Sequence, residues 1–144
     1  MELETGTYRL TDTLRPMRLP VDGNATRRAL ILAGEAMMAE DGLDAPPLHA
    51  IAAAAGCANK YAVQYHFGER SRLIHAILAA RAEGIAARRG ELLVEAAARR
   101  LIDDPAALVE AMLLPLVEQV GDDGAPSFAR FMLLTMTQPW HAAS

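Results

Sequence analysis

The densest run of chemically equipped side chains lies in a single short stretch, where Lys60, Tyr61, Gln64, Tyr65 and His66 follow one another closely. Together they offer a positive charge and several hydrogen-bond donors and acceptors. Those groups suit phosphate oxygens and base edges better than bond-making chemistry. Elsewhere the reactive inventory is sparse. His75 and His141 have no partner at metal-ligand spacing, and Cys57, the single cysteine, rules out a thiolate cluster. The chain has no glycine-rich phosphate loop and no Gly-x-Ser-x-Gly elbow. It therefore reads as a binding protein, not an enzyme, with no call for a cofactor or metal.

Displaying these side chains outward requires a braced helix. Val63 and Phe67 are four apart and can face inward from a short helix over Lys60 to Phe67, leaving Tyr61, Gln64, Tyr65 and His66 on the outer surface or its margins. The brace is a preceding short helix in which Leu48, Ile51, Ala52 and Ala55 form a buried stripe, Pro47 suits the first turn and Gly56 the C′ position. Before it, Leu30, Ile31, Gly34, Met37 and Met38 recur at helical spacing, with Glu35, Glu40 and Asp41 on the opposite side. Asn24 or Thr26 can cap this helix, and Gly42 stops it. Two short helices joined by a tight turn form a helix-turn-helix, whose second helix is offered to a DNA major groove. The shortage of acidic residues at that helix's start favours an anionic partner.

Gly68 breaks the run, and a long amphipathic helix starts at Ser71, with Gly84 and Gly90 weakening its middle. Asp103-Asp104-Pro105 restarts a helix whose apolar face is expected to comprise Leu108, Val109, Met112, Leu113, Leu116 and Val117, with a kink at Pro115. Residues 121–124 form a loop, and Phe128, Phe131, Met132 and Thr135 outline a last helix ending near Pro139. No strand pattern is evident, so the fold class is all-α. Three divisions follow: an arm over 1–25, a helix-turn-helix unit over 26–72 and a helical region over 73–144. The arm carries Arg9, Arg15 and Arg18 and is mobile unless something docks it, a DNA minor groove being one possibility.

The stretch from Thr26 to Ile77 resembles the N-terminal domain of the TetR family of transcriptional regulators. The resemblance rests on an ordered set: Ala39-Glu40-Asp41-Gly42, Ile51-Ala52-Ala53-Ala54-Ala55-Gly56, Ala62-Val63-Gln64-Tyr65-His66-Phe67-Gly68-Glu69-Arg70, and a helix opening at Leu73-Ile74. It implies that the third helix enters the major groove of an operator, with Asn59, Lys60 and Tyr61 at its N-terminal end. Gln64 then faces a base edge, where its amide can pair with adenine N6 and N7. Tyr65 and His66 match phosphate-holding positions, Arg70 matches a basic clamp on the backbone, and His49 matches an outward position of the second helix. The chain departs from the pattern at Pro46-Pro47, where the family places a hydroxyl-bearing residue, and its turn is one residue longer than the commonest spacing.

The resemblance further implies a repressor that binds a palindromic operator as a homodimer and is released by a small-molecule effector. The residues for an effector pocket are Met112, Leu116, Phe128, Phe131 and Met132, which equally read as plain core. Only four residues follow Trp140, where the family continues through further helices. Either the helices present make the dimer, or an incomplete bundle exposes apolar surface around Leu113, Leu116, Phe131 and Leu134. The alternative is a helical ligand-binding or protein-interaction module that keeps the shape without strong DNA binding.

Composition agrees with one globular chain of modest size: 144 residues, 52% hydrophobic and 22% charged, carrying a net charge of −4. With that overall charge, affinity for nucleic acid must come from a local patch. A single cysteine fits a reducing compartment, and the sequence shows neither a leader nor an apolar run of membrane-spanning length, so a cytoplasmic protein is expected.

Overall fold

Asn24 sets the start of the first long helix: its Oδ1 accepts from the Arg27 N–H at 2.9 Å, satisfying an amide that the helix itself cannot pair. In this computed structural model, which describes residues 14–21 and 23–140, six helices follow from such signals. They are α1 (Ala25–Asp41), α2 (Leu48–Ala54), α3 (Ala62–Phe67), α4 (Arg70–Ala98), α5 (Pro105–Val117) and α6 (Ser127–Thr137). The fold is all-α, and among the described residues there is one small parallel pairing, in which Met17–Arg18 (β1) lies beside Gln119–Val120 (β2). Two residues per strand are too few to show an alternating pattern in sequence.

The main core lies where α1 crosses α4. Leu30, Ile31 and Met38 of α1 meet Leu73, Ile74 and Ile77 of α4, with Ile51 of α2 and Val63 of α3 in the same cluster. Gly34 makes the crossing possible, because a Cβ there would stand 3.1 Å from Leu73 Cδ2 and 3.3 Å from Ile77 Cδ1. Phe128 and Phe131 of α6 are fully buried in this cluster, so packing is continuous across the division expected at 72/73. Trp140 closes the end of the core, donating from Nε1 to the Thr135 carbonyl at 2.9 Å.

Glu35 is placed by its spacing with the outward acids, yet it is completely buried. The reason is Arg81 of α4, whose Nε and Nη2 donate to the two Glu35 carboxylate oxygens at 2.9 and 2.8 Å. Arg81 Nη2 also reaches the Val120 carbonyl, and Ser127 Oγ donates to Glu35. Arg81 Nη1 is buried with no hydrogen-bond partner among the described residues. Further along α4, Arg88 meets Glu118 in a second buried pair. At the protein's edge, both terminal nitrogens of Arg28 bond Asp122 at 2.7 Å.

The arm expected to be mobile is docked over residues 14–21. The Met17 N–H donates to the Glu118 carbonyl at 2.7 Å, the Arg15 N–H to the Glu118 carboxylate, and Arg28 holds the Leu19 carbonyl. Met17 Cε packs beside Gly84, where a Cβ would stand at an ordinary contact distance of 3.4 Å. The α4 helix runs unbroken through Gly84 and Gly90. Arg18 donates to the Asp122 carbonyl and Arg15 faces Glu91, so both arginines are engaged within the chain. Arg9, like the rest of 1–13, and His141 lie outside the described residues.

The face expected to be buried on α5 is turned the other way. Ala111, Leu114 and Pro115 point inward, whereas Leu108, Val109, Met112, Leu113 and Val117 are exposed and Leu116 is half-buried. With Glu110 as its single charged residue, this helix is apolar nearly all round, and periodicity cannot select a side. Pro115 has no N–H to give the Ala111 carbonyl, and Arg89 replaces it: Nε donates to Ala111 at 3.3 Å and Nη2 to Met112 at 3.1 Å.

Two outcomes are expected. Arg81→Ala strands the Glu35 charge and should lower unfolding free energy by about 3–5 kcal/mol in urea titrations. The hydrogen bonds from Arg28 hold the Asp122 carboxyl below its usual range. Its contribution is therefore full above the unfolded-chain pKa and disappears as pH falls through the lower folded value. Acid titration of Asp122→Asn should show a shallower loss of stability in that window than the unmodified chain.

Candidate nucleic-acid interface

The two short helices are joined by a turn whose ends are both specified locally. At the end of α2, Gly56 adopts φ +78° and its N–H donates to Ala53, while the Cys57 N–H donates to the Ala52 carbonyl. This is the Schellman pattern, and it needs glycine because the left-handed conformation strains any residue with a Cβ. At the far end, Asn59 Oδ1 accepts from the Tyr61 N–H at 2.9 Å and its carbonyl accepts from Ala62. The reach of α3 therefore begins at Tyr61 as the cap, with Lys60 in the turn before it. Pro47 stands at the α2 cap without a side-chain hydrogen bond, as expected from the missing hydroxyl.

Ala62, Val63 and Phe67 hold α3 from behind; all three are buried. Gly68 ends the helix at φ +86°, and α4 starts at Arg70. The outward side carries Tyr61, Gln64 and Tyr65, with Tyr65 82% and Tyr61 59% exposed. Lys60 Nζ lies 5.1 Å from the Tyr61 ring centroid, within range of a cation–π contact. His66 is half-buried, its ring edge-on to Tyr65 at 5.1 Å between centroids.

Of the eight residues expected at the interface, six are exposed: His49, Asn59, Lys60, Tyr61, Gln64 and Tyr65. His66 and Arg70 are half-buried. The stretch from Asn59 to His66 is gathered around one short helix, while His49 stands on α2 near its start. Asn59 acts first in shaping the turn. Arg70 is partly committed elsewhere, donating from Nη1 to the Leu43 carbonyl at 3.2 Å and so tying down the loop before α2. The role of backbone clamp implied for it competes with this internal bond.

Two basic residues near α3 escape the sequence reading. The Arg27 guanidinium stands 4.6 Å from the Phe67 ring centroid, and the Arg72 side chain passes beside Gly68. The available signal for Arg27 is the Arg27-Arg28 pair in the first turn of α1. Its proximity to α3 depends on tertiary packing.

Of the residues expected to form an effector pocket, four belong to the main core and Met112 stands apart. Phe128 and Phe131 are fully buried against α1, Leu116 and Met132 pack on the same core, and Met112 is exposed. The physical reason is the rotation of α5, which takes Met112 away from the phenylalanines. A cavity of about 250 Å³ lies instead between Leu14, Arg15, the end of α4 and α5, lined in part by Arg88, Glu95, Arg99 and Glu110. Among the described residues no helix is long and apolar enough to cross a membrane. Comparison with known proteins yields no matching family model, no matching curated protein and no matching solved structure.

The two sides of α3 should separate in a thermal or urea melt. Phe67→Ala is expected to destabilise by about 3–5 kcal/mol, whereas Tyr65→Ala should stay within about 0.5 kcal/mol of the parent.

Proposed function

We propose that this protein is a TetR-like transcriptional regulator that binds double-stranded DNA through α3. The reading is carried by one observation: α3 turns Tyr61, Gln64 and Tyr65 to solvent beside Lys60, while Val63 and Phe67 are buried. Large aromatic side chains on a six-residue helix have no role in the core when they point outward. They suit the sugar-phosphate edge of a groove, leaving Gln64 for a base and Lys60 for phosphate. Arg27 and Arg72 add positive charge on the flanks.

In this reading the protein acts in the cytoplasm as a homodimeric repressor on a palindromic operator, and a small-molecule effector releases it. It is not an enzyme. The cavity beside Arg88 is the better candidate for an effector than Phe128, Phe131 and Met132, which are packed into the core. A second reading, a helical protein-interaction module, is favoured by the exposed apolar side of α5.

Binding selection from random-sequence duplexes, followed by fluorescence anisotropy at several salt concentrations, separates the two. The regulator should bind with an affinity that falls steeply with salt, and Lys60→Ala should reduce the log–log salt slope by about 1. Tyr65→Ala should weaken binding without unfolding the chain. If no selected duplex binds in a salt-dependent way, the regulator reading fails and the interaction module takes its place.

A further inference from the structure

We infer that residues 14–21 form a strap through which the cavity beside Arg88 and helix α1 act on each other. The inference deepens the effector part of the reading above and rests on it for the strap's use, while the coupling itself is a property of the free chain.

At one end the strap is part of the cavity. Leu14 and Arg15 wall it together with Leu92 and Ala96 of α4 and Ala107 and Ala111 of α5, so a molecule that fills the cavity touches the strap as well as both helices. The buried Glu118 carboxylate serves both sides. It accepts from the Nε of Arg88, a cavity residue, at 3.0 and 3.1 Å, and from the Arg15 N–H of the strap at 2.9 Å. Drawing Arg88 towards an occupant therefore takes it from the group that holds the strap. One turn of chain further on, the Met17 N–H donates to the Glu118 carbonyl at 2.7 Å and Met17 pairs with Gln119, whose Nε2 lies 3.6 Å from the Met17 sulfur.

At the other end the strap is fastened to α1. The Leu19 side chain is buried in the main core, its carbonyl accepts from Arg28 Nη2 at 2.7 Å, and the Pro20 carbonyl accepts from Arg28 Nε at 3.2 Å. The same guanidinium grips the Asp122 carboxylate, and the Asp122 carbonyl accepts from Arg18 of the strap. Arg27, the preceding residue of α1, lies against Phe67 of α3. The strap thus runs from the cavity to the turn of α1 that touches α3.

Its composition suits transmission. Pro16 and Pro20 fix φ at two positions, so a displacement at Leu14 is passed along the chain with little local absorption. Within the strap Leu19 is buried and Met17 half-buried, and the other residues are exposed, so few contacts must break to release it. By linkage, an occupant that favours the docked strap is itself favoured when the strap is docked.

Amide hydrogen exchange of the full free chain, read residue by residue by NMR, tests the coupling from both ends. Leu14→Asp/Arg15→Asp changes two exposed positions and sets carboxylates towards Glu91 and Glu118, which loosens the cavity end. Exchange should quicken about tenfold at the Met17 N–H and about threefold or more at the Arg28 N–H, with the core amide of Ile77 unchanged. Arg28→Gln, at the far end, should quicken Met17 by a similar factor. A disulfide between Met17→Cys and Gln119→Cys, made in a Cys57→Ser chain, should return both amides of the Asp variant to within about twofold of the parent. Rapid exchange at Met17 with Arg28 unaffected would overturn the inference, as would an unchanged Met17 in either variant or an equal acceleration at Ile77. Failure of the regulator reading looks different: intact coupling in a chain that binds no duplex.

Discussion

A carboxylate buried where two helices cross can remain charged only if a cation meets it with good geometry, and Glu35 depends on Arg81 in this way. Both oxygens of Glu35 are engaged, and the same guanidinium extends to the Val120 carbonyl, while Ser127 completes the carboxylate's shell. One pair therefore ties α1 to α4 and draws in the segment that leads to α6. Phe128 follows directly, with the Arg81 guanidinium 5.9 Å from its ring centroid. An ion pair of this kind contributes little net stability over apolar packing, but it penalises any other alignment of the same helices by leaving a buried charge unmet. Gly34 next to Glu35 permits the close crossing that brings the pair together.

That frame accounts for the presentation of α3. A helix of six residues cannot persist on its own in water, so its position must come from Val63 and Phe67 in the shared core. Its ends are set by neighbours that act over one or two residues, Asn59 on one side and Gly68 on the other. With its inner side so committed, the outer side is free of structural duty. Tyr61, Gln64 and Tyr65 occupy that free side, and the absence of any core requirement for two exposed tyrosines is what gives them functional weight.

The opposite end of α4 is organised differently. This helix of 29 residues spans about 43 Å, from α3 at its start to α5 beyond its end. There the apolar cluster is small, comprising Leu92, Ala111 and Leu114, and most of the apolar surface of α5 is left outside. Arg88 with Glu118 and the docked segment around Met17 hold this end to the rest through charge and backbone hydrogen bonds. One long helix thus links the polar outer surface of α3 with the exposed apolar surface of α5. The 250 Å³ cavity beside Arg88 lies near the second of these, where a change in packing would bear on α5.

Local sequence determined the helices with strong end signals and one unambiguous stripe. Asn24, Gly42, Gly56, Gly68 and the Asp104-Pro105 restart all act within a few residues, and Val63 with Phe67 leaves only one inward side for α3. The exposed set from Asn59 to Tyr65 was legible for the same reason. Tertiary structure alone decided the rest. Glu35 reads as a surface acid until Arg81, 46 positions away, is brought to it. Arg27 joins α3 only because α1 runs beside it, and Arg70 turns to Leu43 only because the loop before α2 lies within reach. The α5 helix is the sharpest case: apolar on nearly every side, it could satisfy the hydrophobic effect in several rotations. The choice fell to Ala111 and Leu114 packing on Leu92 and to the arginine that replaces the hydrogen bond Pro115 cannot make.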